Sequence, residues 1–252
     1  MEDNVVIVTG AGNGIGRATA FKFASMGYHV VIADINQKDG EETLKNINKF
    51  NKKSFFVHTD MSNESDVINL VKYSVKEFNK INIIINNAAA FVFSSIEKTN
   101  VQIWQKVLNT NLIGYSNLVK YSLPYLKKQK ESNIINVASV SSFIAQEEFI
   151  PYSASKGAIR QLSKCLALDL GKYNIRVNCI SPGPIYTNEI KKQMKENNDV
   201  KKMQIKKMSD KTVLKRIGKP EDVAEAIFFL SSKNASFITG TNLVIDGGST
   251  IK

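Results

Sequence analysis

The chain has 252 residues, 43% hydrophobic and 23% charged, which suits one large α/β domain with a substantial core and argues against disorder. Its formal net charge of +11 attracts anions in general. Only four of the 34 basic residues are Arg, however, so nucleic acid, which favours the guanidinium fork, is set aside, and a Lys- and Asn-rich coding bias accounts for the excess. Cys165 and Cys179 lie fourteen apart without CxxC or His company, and His29 and His58 stand at strand ends, so neither a disulfide framework, a metal site nor a Ser/His/Asp hydrolase is expected.

Short apolar, β-branched runs alternate with helical patterns along the whole sequence, which predicts parallel strands joined by crossover helices. Val5 to Thr9 is the first strand, arriving too early for a leader peptide; with no apolar run of membrane-spanning length, a cytoplasmic protein without membrane contact is expected. A helix over Ile15 to Met26, a strand over His29 to Asp34, a helix over Asp39 to Phe50 and a strand over Ser54 to His58 follow. Next come a helix over Glu64 to Phe78, a strand over Ile81 to Asn86, one long helix over Val101 to Lys127 and a strand over Asn133 to Ala138. Helix Tyr152 to Gly171, strand Ile175 to Ile180, a short helix over Glu221 to Leu230 and strand Leu243 to Asp246 complete seven strands. Their continuous apolar character suits a doubly wound sheet covered on both faces, in a single domain spanning 1–252. Lys191 to Lys215, rich in Lys, Met and polar residues, reads as a mobile insertion within a substrate-side segment around 184–218, or else as a solvated helix.

Between the first strand and helix, Thr9-Gly10-Ala11-Gly12-Asn13-Gly14-Ile15-Gly16 fits Gly-x-x-x-Gly-x-Gly and not GxGxxG. Glycines at such a junction let the backbone approach a pyrophosphate, and the helix N-terminus offers unpaired N–H groups. Asp34 closes the second strand eighteen residues after Gly16, where a carboxylate accepts from an adenosine ribose. Asp60, with Met61 after it, follows the third strand and is placed to meet an adenine edge; alone it also passes as a turn residue.

Tyr152 and Lys156 are four apart, which on a helix sets both on one face about 6 Å apart along the axis. An ammonium beside a phenol favours phenolate and lowers a pKa that is otherwise about 10. Ser139 stands thirteen residues upstream.

Together these residues resemble the short-chain dehydrogenases/reductases, over nearly the whole chain. The resemblance rests on Thr9 to Gly16, Asn86-Asn87-Ala88, Asn111-Leu112-Ile113-Gly114, Ser139, Tyr152 to Lys156, Asn178 to Thr187 and Asp246-Gly247-Gly248, all in order. Two positions depart from the family pattern: Ala89 stands for glycine, adding a methyl near the cofactor, and Ala138 for the first of two serines.

The resemblance implies a Rossmann-type sheet and an oxidoreductase moving hydride between a nicotinamide, NAD rather than NADP, and a secondary alcohol or ketone. Tyr152 is then the general acid or base; Lys156 lowers its pKa and holds the nicotinamide ribose together with Tyr152. Ser139 donates to the substrate oxygen and Asn111 anchors a proton-relaying water. Gly10, Asn13, Gly14, Ile15, Gly16, Asp34, Asp60, Met61, Asn87 and Ala88 are the implied cofactor contacts on one side, with Pro182, Gly183, Ile185 and Thr187 beside the carboxamide. Phe91, Phe93, Ile144, Phe149, Tyr186 and Ile190 are candidates to line the substrate, whose identity they leave open. A 3-oxoacyl-acyl-carrier-protein reductase, with the acidic carrier on Lys127, Lys128, Lys130 and Lys172, is the alternative activity; a nucleotide-sensing scaffold is the non-enzymatic one. A homotetramer is expected, joined through the two long helices.

Overall fold

A computed structural model describes residues 4–50, 53–188 and 198–252. The elements in chain order are β1 (Val5–Thr9), α1 (Gly14–Ser25), β2 (His29–Asp34), α2 (Gln37–Ile47), β3 (Phe55–His58), α3 (Glu64–Phe78), β4 (Ile83–Asn86), α4 (Val101–Leu108), α5 (Gly114–Leu126), β5 (Ser132–Val137), α6 (Ile150–Leu170), β6 (Ile175–Pro182), α7 (Asn198–Asp210), α8 (Pro220–Ser231) and β7 (Asn242–Ile245). All seven strands run parallel in the order β3-β2-β1-β4-β5-β6-β7. The order reverses between β1 and β4, and such a switch point opens a ligand crevice at the carboxyl ends of the strands.

Each central strand is buried on both faces, which explains its unbroken apolar sequence. From β1, Val6 and Val8 join a core with Phe23, Ile47 and Ile227, while Val5 and Ile7 join another with Leu70, Leu118 and Leu126. Some buried polar groups join elements to one another. Asn86 Nδ2 donates to Asn136 Oδ1 at 2.9 Å, and Asn136 Nδ2 to Ser163 Oγ at 2.9 Å, tying β4 to β5 and α6. Arg176 on β6 is almost fully buried; it donates to the carbonyls of Leu230, Ser232 and Ile238 and pairs with Glu131 at 3.2 Å. That guanidinium satisfies carbonyls at the end of α8, where a helix leaves them without intrahelical donors.

Three expectations change. The predicted helix from Val101 to Lys127 is two helices, α4 and α5, separated by a π turn over Asn109–Ile113. Strand β4 starts at Ile83 rather than Ile81, because the Asn82 side chain itself accepts from Val5 N at 2.9 Å. Within the Lys-rich stretch, Asn198–Asp210 is helical; 189–197, including Ile190, lies outside the described residues.

Candidate active site

The turn from β1 to α1 is built from backbone. Gly10 has φ +64°, a left-handed value that favours glycine, and a Cβ there would fall 2.8 Å from Ala88 Cα. At Gly16 a Cβ would stand 2.1 Å from the Gly10 carbonyl oxygen, so α1 begins hard against the turn only because no side chain intervenes. Asn13 caps α1 and accepts from Gly14 N at 2.7 Å, while Ile15 packs on the core. Asn87 clamps the turn from β4: its Nδ2 donates to Thr9 O at 2.9 Å and to Gly10 O at 3.2 Å. Thr9 Oγ1 accepts from the backbone N–H groups of both Asn87 and Ala88.

Asp34 closes the turn from the other side. Its Oδ2 accepts from Gly12 N at 2.7 Å and its Oδ1 from Asn36 N at 2.8 Å. A Cβ on Gly12 would come 2.8 Å from that carboxylate, a role for the remaining glycine of the run that its spacing alone did not indicate. Arg17 folds back onto the turn, donating to Gly12 O at 2.7 Å and pairing with Glu42 at 3.4 Å. Thr59 N donates to Asp34 O, which brings the ends of β2 and β3 together. Asp60 Oδ1 accepts from Ser62 N and Oγ, the turn role weighed above, and buried Met61 offers its carbonyl to the side of Gly114, where a Cβ would stand 2.3 Å away.

Across the crevice, β6 ends in Pro182 and its neighbour Gly183 donates to Ile245 O at 3.0 Å. Ile185 is buried and bridges Gly218. Thr187 N donates to Ile185 O at 2.8 Å, and the Thr187 methyl lies 3.3 Å from where a Gly14 Cβ would be, so this segment overhangs the glycine turn. Asp246, which gathers Gly248 N, Ser249 Oγ and both donors of Thr250, supports Gly183 from behind.

Ser139, Tyr152 and Lys156 meet beyond β5. The Ser139 hydroxyl is near enough to the Tyr152 phenol to favour its charged form. Ser139 Oγ donates to Ser141 Oγ at 3.1 Å, and Ser141 Oγ in turn donates to Gln146 Oε1. Neither Ser141 nor Gln146 stood out in the sequence, where they lack any motif.

Lys156 is 1% exposed and its Nζ donates to Val137 O at 2.7 Å, with the Tyr152 ring centroid 5.6 Å away. Burial pulls its pKa down to about 7. Burial likewise pushes the Tyr152 phenol up to about 12, opposed only by the Ser139 hydroxyl. The expected lowering of the phenol by Lys156 is therefore not what these groups do in the protein alone, because desolvation penalises both charged forms and leaves the pair neutral through a wide range. Around them, burial raises the Cys179 thiol to about 11 and the Tyr115 phenol well above its usual 10.

Asn111 sits in the π turn, fully buried. Its Oδ1 accepts from Ala90 N at 2.7 Å, and its Nδ2 donates to Ala90 O at 3.2 Å and to Ser155 Oγ at 3.0 Å. The side-chain amide thus fastens the loop after β4 to α6 and does not reach Lys156. Ser155 carried a weak signal, its place one helical turn from Tyr152.

The glycine turn, Asp34 and Asn87 gather beyond β1, β2 and β4, and Ser139, Tyr152 and Lys156 beyond β5, all at the carboxyl ends of the strands. Among the described residues no three His, Cys, Asp or Glu side chains converge to hold a metal, and no helix is long and apolar enough to cross a membrane.

Comparison with known proteins follows that layout. A family model described as enoyl-(acyl carrier protein) reductase matches residues 10–250. An L-fucose dehydrogenase of Bos taurus is 36% identical over 98% of this chain and 89% of its own. A 7α-hydroxysteroid dehydrogenase solved with NADH and 7-oxo glycochenodeoxycholic acid superposes with a TM-score of 0.91 at 29% identity, covering 97% of this chain and 93% of that one. A 3-ketoacyl-(acyl-carrier-protein) reductase from Brucella melitensis, solved with NADH, gives 0.88 at 30% identity and 99% coverage of both chains. A matched family over nearly the full length, together with one parallel sheet and one crevice, makes this chain a member of the short-chain dehydrogenase/reductase family, an oxidoreductase acting on CH–OH groups.

Proposed function

We propose that this protein is an NAD-dependent dehydrogenase interconverting a secondary alcohol and its ketone, with Tyr152 carrying the proton. The observation that carries the reading is the gathering of Ser139, Tyr152 and Lys156 beyond β5, at the same carboxyl edge of the sheet as a glycine cradle closed by Asp34. A nicotinamide dinucleotide fits that cradle chemically. Gly10, Gly14 and Gly16 leave backbone where a side chain would stand, the N-terminus of α1 suits a pyrophosphate, and Asp34 suits a ribose with free hydroxyls. Asn13, Ile15, Asp60, Met61, Asn87 and Ala88 flank these groups, while Pro182, Gly183, Ile185 and Thr187 serve the carboxamide side, and Tyr152 and Lys156 the second ribose.

When bound, the nicotinamide supplies or accepts the hydride. The protein's part is the proton. With its pKa near 12, Tyr152 holds its proton at neutral pH and gives it to the substrate oxygen during reduction; alcohol oxidation needs the phenolate and gains as pH rises. Ser139 turns its hydroxyl from Ser141 toward the same oxygen. The Asn111 amide bonds Ala90 and Ser155, so its part is to hold the loop after β4 against α6 beside Tyr152.

NAD over NADP is favoured by the Asp34 carboxylate, which opposes a 2′-phosphate, and by the engagement of Arg17 with Gly12 O and Glu42. A homotetramer is favoured by apolar residues left exposed on α4 and α6, Val101 and Leu168, and beyond α8 at Phe237. Assaying alcohols and ketones with NADH and NADPH tests the reading; turnover of none, or preference for NADPH, refutes it.

One observation favours the acyl-carrier alternative. Lys127 and Lys172 converge on Tyr173, with Nζ atoms 3.9 and 5.3 Å from its ring centroid, and Lys127 first and then Lys172 lower its pKa. This compact basic spot suits an acidic carrier; Lys128 instead lies over Tyr125.

A further inference from the structure

We infer that the substrate of this site carries a flat apolar group, aryl or alicyclic, beside its reacting carbon, and that this group lies on an aromatic wall built against Tyr152. The inference rests on the dehydrogenase reading and names its substrate class. Phe91 meets Tyr152 edge-on, with centroids 4.6 Å apart at 84°, and Phe149 meets it at 6.0 Å and 77°. Phe93 joins both, 4.8 Å from Phe91 and 4.5 Å from Phe149. Centroids this close mean the rings touch one another. No guest fits between them, so the cluster is not a cage for a cation but a closed wall that presents its outer surface.

The wall is held in place by two loops that meet. Ser94, buried after β4, forms a parallel bridge with Phe149 just before α6, and Ser94 N donates to Glu148 O at 2.6 Å. Thr99 Oγ1 donates to Ser94 Oγ at 2.8 Å. Glu148 itself sits at φ +60°, a left-handed value that a non-glycine residue keeps only when its surroundings hold it there. At the outer end Phe93 remains 43% exposed, apolar surface available to a ligand.

The chemistry of the wall decides between substrate classes. The three phenylalanine side chains carry no donor or acceptor, so hydroxyls laid on them lose water without replacement. An aryl or alicyclic ring there gains burial and edge-to-face contact. The hydrogen-bonded string Ser139–Ser141–Gln146 beside Tyr152 suits the one reacting oxygen and not a row of hydroxyls.

The test is kcat/KM with NAD for 1-phenylethanol, 2-propanol and sorbitol, in the wild type, Phe93→Ala and Phe93→Leu. The wild type is expected to favour 1-phenylethanol over sorbitol by at least about a hundredfold. Phe93→Ala is expected to lower 1-phenylethanol about tenfold more than 2-propanol, with the loss in KM, and Phe93→Leu to recover part of it. Equal or better use of sorbitol, or equal losses on 1-phenylethanol and 2-propanol, overturns the inference. If neither nicotinamide drives turnover of any alcohol, the dehydrogenase reading fails separately. The wall is then judged by ligand-observed NMR of 1-phenylethanol: saturable binding weakened in Phe93→Ala upholds it, and no binding overturns it.

Discussion

The two ends of the crevice are made of different material. At the glycine turn the surface is backbone, and its shape follows from side chains that are missing: at Gly10 and Gly16 a single methyl would collide with Ala88 or with the turn itself. At the Tyr152 end the surface is side chain, and its properties follow from groups buried against their preference, a lysine drawn down to about 7 and a phenol raised to about 12. The first end recognises by fit and fixed dipoles, which are indifferent to pH. The second stores its chemistry in desolvated titratable groups, so the pH sensitivity of the protein belongs there.

Tyr152→Phe separates the two ends most sharply. It removes the proton donor and leaves the cradle, so kcat is expected to fall at least about a hundredfold while the Kd for NADH, read by fluorescence titration, stays within about twofold. A mutant retaining near-normal turnover would remove Tyr152 from the chemistry. The opposite substitution is Gly16→Ala. Its methyl would stand 2.1 Å from Gly10 O, and relief requires opening the turn, so NADH binding is expected to weaken by more than about tenfold, with a stability loss of about 1–3 kcal/mol. Unchanged calorimetric binding would show that the cradle does not need that contact.

Between about 7 and 10.5 Lys156 is neutral when folded and protonated when unfolded, so the unfolded state binds the extra proton and folding becomes more favourable as pH rises. The gain approaches about 1.4 kcal/mol per pH unit at most. Cys179 and Tyr152, both raised, bind more protons folded than unfolded and pull the other way, Cys179 above about pH 9 and Tyr152 above about pH 10. Urea unfolding at pH 7.2 and 8.7 (about the lower part of that window) therefore should show an increase in stability that Lys156→Met lacks. Parallel curves for the two proteins would mean that Lys156 stays charged inside.

Asp34→Ala probes the boundary between recognition by shape and by charge. Removing the carboxylate is expected to shift the NADH-to-NADPH ratio of kcat/KM toward NADPH by about tenfold, equivalent to about 1.4 kcal/mol; an unchanged ratio would pass the selection to another group. The smallest expected effect lies outside the crevice. If the Lys127–Lys172 spot docks an acidic carrier, activity on a carrier-bound 3-oxoacyl substrate drops several-fold more with salt than activity on a free one, since screening acts over about 8 Å at physiological ionic strength. Equal salt dependence removes that docking role.

The glycine end was legible because its signal is local. Glycine spacing, a preceding strand and an Asp at the next strand end describe a cradle without knowledge of distant partners, and only the contact of Gly12 with the Asp34 carboxylate escaped notice. At the Tyr152 end the sequence foretold which side chains meet but not their protonation. Spacing brought Tyr152 and Lys156 to one helix face and suggested that the ammonium would lower the phenol; their common burial reverses the direction, and burial is a sum over neighbours from β5, β6 and α5 that no local pattern contains. The π turn was hidden for the same reason. The apolar periodicity of Val101 to Lys127 runs straight through it, while the extra residue is held by bonds from Asn111 to Ala90 and Ser155.

By itself, then, the sequence determined the strand-helix alternation, the doubly wound class and the glycine turn between β1 and α1, because each rests on periodicity or backbone freedom near its own position. Tertiary structure alone decided the protonation of Tyr152 and Lys156, the engagement of Arg17, and the assembly of Phe91, Phe93 and Phe149 into one wall on Tyr152. Those depend on desolvation and on contacts between loops more than fifty residues apart, such as the bridge from Ser94 to Phe149, and only the packed chain brings them together.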